Sequence, residues 1–91
     1  MTHVKGNDMG KVMLYTLSTC IWCKKTKKLL NEIGCEYSYE DVDLLEDNDE
    51  EKATKEMDKY STNPSFPIII VDGKLFNMGY DEDKIRKKLS K

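Results

Sequence analysis

Apolar positions along this chain fall into two rhythms. Residues 11–17 (KVMLYTL) form an apolar, β-rich run of strand length, which predicts a buried strand. Ser18-Thr19-Cys20 then offers cap-type residues, and Trp22, Thr26, Leu29, Leu30 and Ile33 follow at helical spacing on one face. Gly34 supplies the stop, because it accepts the left-handed backbone that helix ends favour. Residues 35–42 (CEYSYEDV) alternate as a second strand, and residues 48–60 read as a charged helix with Ala53, Met57 and Tyr60 on its apolar side. Residues 61–67 form a loop with two prolines. Residues 68–71 (IIIV) are wholly apolar, as expected of a strand buried on both faces. Asp72-Gly73 is a strong hairpin signal leading back through residues 74–78, and residues 81–89 form a last helix with Ile85 and Leu89 inward.

The predicted order is therefore β-α-β-α-β-β-α, an α/β fold with a four-stranded mixed sheet flanked by three helices. The opening strand, helix and strand imply a right-handed parallel crossover, and the closing hairpin adds antiparallel pairing. Helices are expected on both faces.

Length and composition narrow the classes. The 91 residues suit one domain with a small core. Residues 11–91 are expected to form it, with residues 1–10 as a flexible polar tail. The longest apolar run has four residues, against the roughly 20 that a membrane span requires. Residues 1–10 lack the apolar stretch of a secretory signal, which points to a reducing, cytoplasmic setting. A formal net charge of −2 argues against general nucleic-acid affinity. The acidic segment from Glu40 to Asp58 reads as a solvated loop and helix, and Tyr15, Tyr37 and Tyr39 as strand packing.

Three cysteines are an odd count and make no disulfide framework. Cys20-Ile21-Trp22-Cys23, however, falls where a strand ends and a helix begins. Helix N-termini carry unpaired N–H groups and partial positive charge, and both favour a thiolate, the reactive form of cysteine. Two intervening residues in a first turn bring both sulfurs within bonding reach, so the second thiol resolves a mixed disulfide made by the first. Lys24, Lys25, Lys27 and Lys28 read as a solvated helix face or as attraction for an anionic partner. Zinc is the rival chemistry, but a structural site needs four ligands. The only further candidates are Cys35, a full helix away and read as a small core residue, and His3 in the tail.

The strand–CxxC–helix opening, Ser65-Phe66-Pro67 before a strand, the Asp72-Gly73 hairpin and Gly79-Tyr80-Asp81 before the last helix together resemble the glutaredoxins. The similarity runs from about residue 11 to residue 89. It implies a thioredoxin-like fold and a thiol–disulfide oxidoreductase without a bound cofactor. Cys20 matches the exposed nucleophile and Cys23 the buried resolving thiol of a redox-active disulfide. Pro67 matches a proline after a cis bond, beside which Phe66 offers its backbone to substrate; it also reads simply as a strand start. Gly79, Tyr80 and Asp81 match the region that holds the glutamyl end of glutathione, while Asp81 also reads as a helix cap. Trp22 stacks on a bound partner at the rim or packs as core. The implied partners are disulfide-containing proteins and a thiol or reductase donor, with glutathione or another thiol as reductant and the protein a monomer. Similar redoxins feed electrons to ribonucleotide reductase. Some glutaredoxins instead share an iron–sulfur cluster across a dimer, which would use Cys20 as a ligand. The chain departs from the family pattern at Leu17, often basic, at Ile21-Trp22, usually Pro-Tyr, and at Ser65-Phe66, often Thr-Val. The dithiol chemistry survives these changes.

Overall fold

In the computed structural model, which describes residues 2–60 and 65–90, five strands make one mixed sheet. In chain order the elements are β1 (Thr2–Val4), β2 (Val12–Thr16), α1 (Ile21–Ile33), β3 (Tyr37–Asp41), a 3-10 turn (Val42–Leu44), α2 (Asp47–Asp58), β4 (Ile68–Val71), β5 (Lys74–Met78) and α3 (Glu82–Leu89). The strands lie in the order β1-β3-β2-β4-β5. β2 and β3 pair in parallel, as the crossover through α1 requires, and the other three strand pairs are antiparallel.

The period-two geometry of a strand divides its side chains between two layers. Val12 and Leu14 of β2 and Ile69 and Val71 of β4 join Leu29 and Leu30 of α1 and Ile85 and Leu89 of α3 on one side. Tyr15 of β2 and Ile68 and Ile70 of β4 join Ala53 and Met57 of α2 on the other. The unbroken IIIV run thus follows from a strand with helices over both faces, and all four residues are buried.

Local signals hold where they were strong. Gly34 ends α1 in the left-handed region at φ 72°, with its N–H on the carbonyls of Asn31 and Leu30. Asp72 and Gly73 both take positive φ in the β4–β5 hairpin. Asp81 caps α3 by accepting from the Lys84 N–H at 3.1 Å. In the proline-containing loop, residues 61–64 lie outside the described residues.

The sheet has five strands rather than the expected four, because part of the expected tail is ordered. Thr2–Val4 pairs antiparallel with β3, matching Thr2 to Tyr39 and Val4 to Tyr37. The Asn7 N–H donates to the Gly34 carbonyl at 2.7 Å, and the Glu36 N–H to the Asn7 carbonyl at 2.9 Å. Gly6 makes this close approach feasible: a Cβ there would sit 2.6 Å from the Gly34 carbonyl oxygen. Backbone pairing of a short edge strand asks little of its side chains, so a polar segment with only Val4 on the core can fill it. His3 belongs to this strand, with Nδ1 3.0 Å from Ser38 Oγ. No helix among the described residues is long and apolar enough to cross a membrane.

Candidate active site

Four chain segments meet at one end of the sheet. β2 and β3 are parallel, so their C-terminal ends coincide there. The antiparallel register Tyr15↔Ile68 brings the start of β4 alongside, and Ile68↔Met78 brings the end of β5. Open α/β sheets bind ligands outside the carboxyl ends of their strands for this reason.

The segment after β2 is held tightly. The Cys20 N–H returns to the Leu17 carbonyl at 3.1 Å. Ser18 donates to Asp43 twice, from its N–H at 2.9 Å and from its hydroxyl at 2.5 Å. This clasp joins the loop to the 3-10 turn. The Ser18 hydroxyl, with the Ser18 N–H, holds the Asp43 carboxyl below its ordinary pKa.

Cys20 is the N-cap of α1, in extended backbone at φ −81° and ψ 117°. Its Sγ stands where a serine or aspartate oxygen normally caps a helix, and it accepts the Cys23 N–H at 3.2 Å. A sulfur so placed faces the positive end of the helix. Cys20 is half-buried, whereas Cys23, one turn on, is 0% exposed. Burial, reinforced by a hydrogen bond with Cys20, pushes the Cys23 thiol up to about 12. The Leu17 backbone N–H and the Lys27 charge pull it the other way. One accessible sulfur and one hidden, protonated sulfur thus lie side by side, and both are free thiols.

The other expected site residues lie at the same end of the sheet. The Phe66–Pro67 bond is cis, and the Pro67 carbonyl accepts the Gly79 N–H at 2.8 Å. Gly79 adopts φ 86°, turning the chain from β5 into α3 where a side chain would strain the backbone. Tyr80 follows and stacks on Trp22, with ring centroids 5.8 Å apart and planes at 25°. Lys25 Nζ covers the same indole at 4.6 Å from its centroid. Phe66 packs with Leu17 and Met78 against the core cluster under α2. Asp81 is exposed, and its carboxylate is engaged in capping α3.

Trp22 does not share the buried face with Thr26, Leu29 and Leu30. It is 53% exposed, and its ring neighbours are Tyr80 and Lys25 rather than the core. Ile21, next to Cys20 in the chain, is 67% exposed, as is Leu44 in the 3-10 turn that Asp43 ties to Ser18.

Two features left no mark in the sequence. One is the Ser18–Asp43 clasp. The other is a half-buried ion pair between Lys27 Nζ and Asp41 Oδ1 at 3.0 Å, with the Thr16 hydroxyl donating to the same carboxylate at 2.5 Å. Each joins residues far apart in the chain, where only the parallel register of β2 and β3 reveals the contact.

Cys35 lies outside this region. From Cys23 the helix runs ten more residues to Ile33, about 15 Å at the helical rise, and Cys35 lies beyond the Gly34 cap. It is buried in the core, its Sγ donating to the Glu36 carbonyl at 3.3 Å, and burial raises its pKa. Among the described residues, no group of three or more His, Cys, Asp or Glu side chains is arranged to hold a metal ion.

Comparison with known proteins gives a consistent answer. Residues 12–76 match the glutaredoxin family model. The chain is 31% identical over 80 residues to an uncharacterized glutaredoxin-like 8.6 kDa protein in the rubredoxin operon of Clostridium pasteurianum, covering 88% of this chain and 99% of that one. Among solved structures, the methanoredoxin of Methanosarcina acetivorans superposes with a TM-score of 0.89 at 43% identity, over 98% of this chain and 94% of that one. The glutaredoxin of Methanosarcina mazei gives 0.84 at 46% identity, over 94% and 84%. A dithiol at a helix N-terminus, on a thioredoxin-like sheet and within this family match, makes the chain a member of the glutaredoxins, which are thiol–disulfide oxidoreductases.

Proposed function

We propose that the protein reduces disulfides by a dithiol mechanism, with Cys20 as nucleophile and Cys23 as resolving thiol. The Cys20 thiolate attacks one sulfur of the substrate disulfide. The substrate S–S bond breaks, its electron pair leaves on the departing thiolate, and a Cys20 mixed disulfide remains. Cys23, deprotonated, attacks Cys20 Sγ. The second substrate thiolate departs and both leaving groups take up protons. The substrate gains two electrons, and the protein keeps a Cys20–Cys23 disulfide. Glutathione or another thiol, or a reductase, then restores the dithiol by the reverse exchange.

The observation that carries this reading is the asymmetry of the two sulfurs. Cys20 is reachable and capped by an N–H at 3.2 Å, and Cys23 is sealed beneath it. A buried second thiol does not compete for substrate but stands ready for intramolecular attack. The exposed apolar side chains of Ile21, Trp22 and Leu44 favour a protein or organic disulfide over a small, strongly hydrated one. In this reading Trp22 and Tyr80 form one wall of the substrate groove, and the backbone at Phe66, Pro67 and Gly79 lies along it. The region of Gly79 and Asp81, at the α3 N-terminus, receives a carboxylate of the thiol. Ribonucleotide reductase is one protein disulfide that such a redoxin serves.

The test is trapping. Cys23→Ser should accumulate a mixed disulfide on Cys20 with a disulfide substrate, seen as an intact-mass increase, and Cys20→Ser should not. Absence of an adduct on Cys23→Ser, with wild-type protein inactive toward protein and low-molecular-weight disulfides, would refute the mechanism.

A further inference from the structure

One turn of α1 on from Cys23 lies a partly buried charged cluster that the steps above leave unused. Lys27 Nζ meets Asp41 Oδ1 at 3.0 Å, with the two side chains only 20% and 17% exposed. The Thr16 hydroxyl, 0% exposed, donates to Asp41 Oδ1 at 2.5 Å, with the Glu40 carbonyl a second acceptor at 3.1 Å. The Tyr39 ring lies under the ammonium, 3.9 Å from its centroid. Lys27 is therefore held from two sides, by Asp41 and by the Tyr39 ring, while Lys24, Lys25 and Lys28 on the same helix are exposed.

Stability alone is a weak reason for such a pair, because desolvation of partly buried charges cancels much of their attraction. Position supplies a stronger one. Lys27 lies four residues after Cys23, on the same face of α1 and one turn away. Cys23 must ionise to resolve the mixed disulfide, and its surroundings oppose that. Of the titratable groups on its own helix, Cys20 and Lys27 act on it, while Lys24, Lys25, Lys28 and Glu32 are exposed, and the Leu17 N–H reaches it from the β2–α1 loop. Asp41 at the end of β3 faces Lys27, and Asp43 in the 3-10 turn feels the Lys27 charge. Phe66 and Pro67 before β4 do not titrate. Tyr80 and Asp81 are engaged with Trp22 and the α3 amides.

We propose that Lys27, held in place by Asp41 and Thr16, is a positioning residue for the resolving step, its fixed ammonium stabilising the Cys23 thiolate as it attacks Cys20 Sγ. The proton leaving Cys23 passes to solvent, and the departing substrate thiolate takes one up, so the step stays balanced. The direction agrees with the lowering effect of Lys27 on Cys23 acidity. A partly buried charge is screened far less than the exposed lysines, so its influence persists at physiological salt.

This inference rests on the dithiol reading, and one experiment separates their failures. Reduced protein is mixed with one equivalent of dithiobis(nitrobenzoate) and thionitrobenzoate is followed by stopped-flow absorbance across pH. The first release reports Cys20 attack, and the second reports resolution by Cys23. Lys27→Met should slow the second release about tenfold at neutral pH and move its pH midpoint up by about one unit. The first release should change less than twofold, and Lys27→Arg should restore the second. If Lys27→Met does not fold, Lys27→Gln carries the same expectation. Two equivalents released with a resolving pH profile independent of Lys27, or slowing that Lys27→Arg does not rescue, would overturn the proposal alone. A wild-type protein releasing only one equivalent would overturn the dithiol reading and this proposal with it.

Discussion

The sealed state of Cys23 has a thermodynamic consequence measurable without any substrate. Its thiol is pushed from an ordinary value of 9.0 up to about 12 in the fold, by burial first and then by its hydrogen bond with Cys20. A group whose folded pKa is raised stabilises the fold fully below the unfolded pKa and loses that contribution as pH rises toward the folded one. Between pH 9 and 12 the unfolded chain has released this proton and the native protein still holds it. The slope of stability with pH is then negative and approaches about 1.4 kcal/mol per unit. From pH 8 to 10 the loss attributable to Cys23 works out at about 1.4 kcal/mol, roughly three-quarters of it above pH 9. The assay is guanidinium unfolding of the reduced protein at several pH values in that range, alongside Cys23→Ala. The variant's absolute stability differs because it carries a cavity, so the comparison is of slopes. Tyr15, raised to about 12, and Cys35, also raised, are common to both proteins and cancel. Wild type should lose about 1.4 kcal/mol more than Cys23→Ala. Oxidised wild type, whose Cys23 has no proton to lose, should follow the variant. Equal slopes would mean that Cys23 ionises as freely folded as unfolded, and the asymmetry behind the proposed mechanism would be gone.

Two further expectations test the rim and the N-terminal segment. In a double-mutant cycle, Trp22→Ala and Tyr80→Ala should couple by about 0.5–1.5 kcal/mol in unfolding free energy, the range for stacked aromatic pairs. Each should also raise KM for a protein disulfide more than it lowers kcat, and additive effects would show that the rings do not form one wall. Gly6→Ala places a methyl 2.6 Å from the Gly34 carbonyl oxygen, against backbone rather than a yielding side chain. It should cost about 1–3 kcal/mol and remove amide-exchange protection from Thr2–Val4. Unchanged exchange there would refute the anchoring of the first strand.

The parts of this fold legible in the sequence are those whose cause is local. Ile68–Val71 needs no knowledge of its neighbours to announce a strand covered on both faces, and Asp72-Gly73 dictates its own turn. Cys20 before a helical pattern and Gly34 after it mark both ends of α1. What escaped is what depends on chain segments meeting. Thr2–Val4 is a strand because β3 offers an unpaired edge, and nothing in Thr-His-Val says so. Trp22 keeps helical register with Thr26 and Leu29, yet register alone does not tell that Tyr80, from the turn after β5, will be its neighbour. The site divides in the same way. Spacing gives the two sulfurs, but their inequality arises from the depth of the second one, which only the packed structure supplies.

The departure at Leu17 makes sense in those terms. Many glutaredoxins have a basic side chain at this position, on the loop leading to the first cysteine. Here that side chain packs against the core cluster under α2, and the residue acts through its backbone instead. Its carbonyl receives the Cys20 N–H, and its N–H favours the Cys23 thiolate. The positive charge comes from Lys27, on the buried side of the same helix and pinned to Asp41. A loop lysine would lie beside the exposed sulfur, in water, where salt and mobility weaken it. A lysine fixed one turn on from Cys23 acts on the sulfur that burial has made hardest to ionise. If Lys27 serves the resolving thiol as proposed, resolution should be the step whose rate this protein protects against added salt.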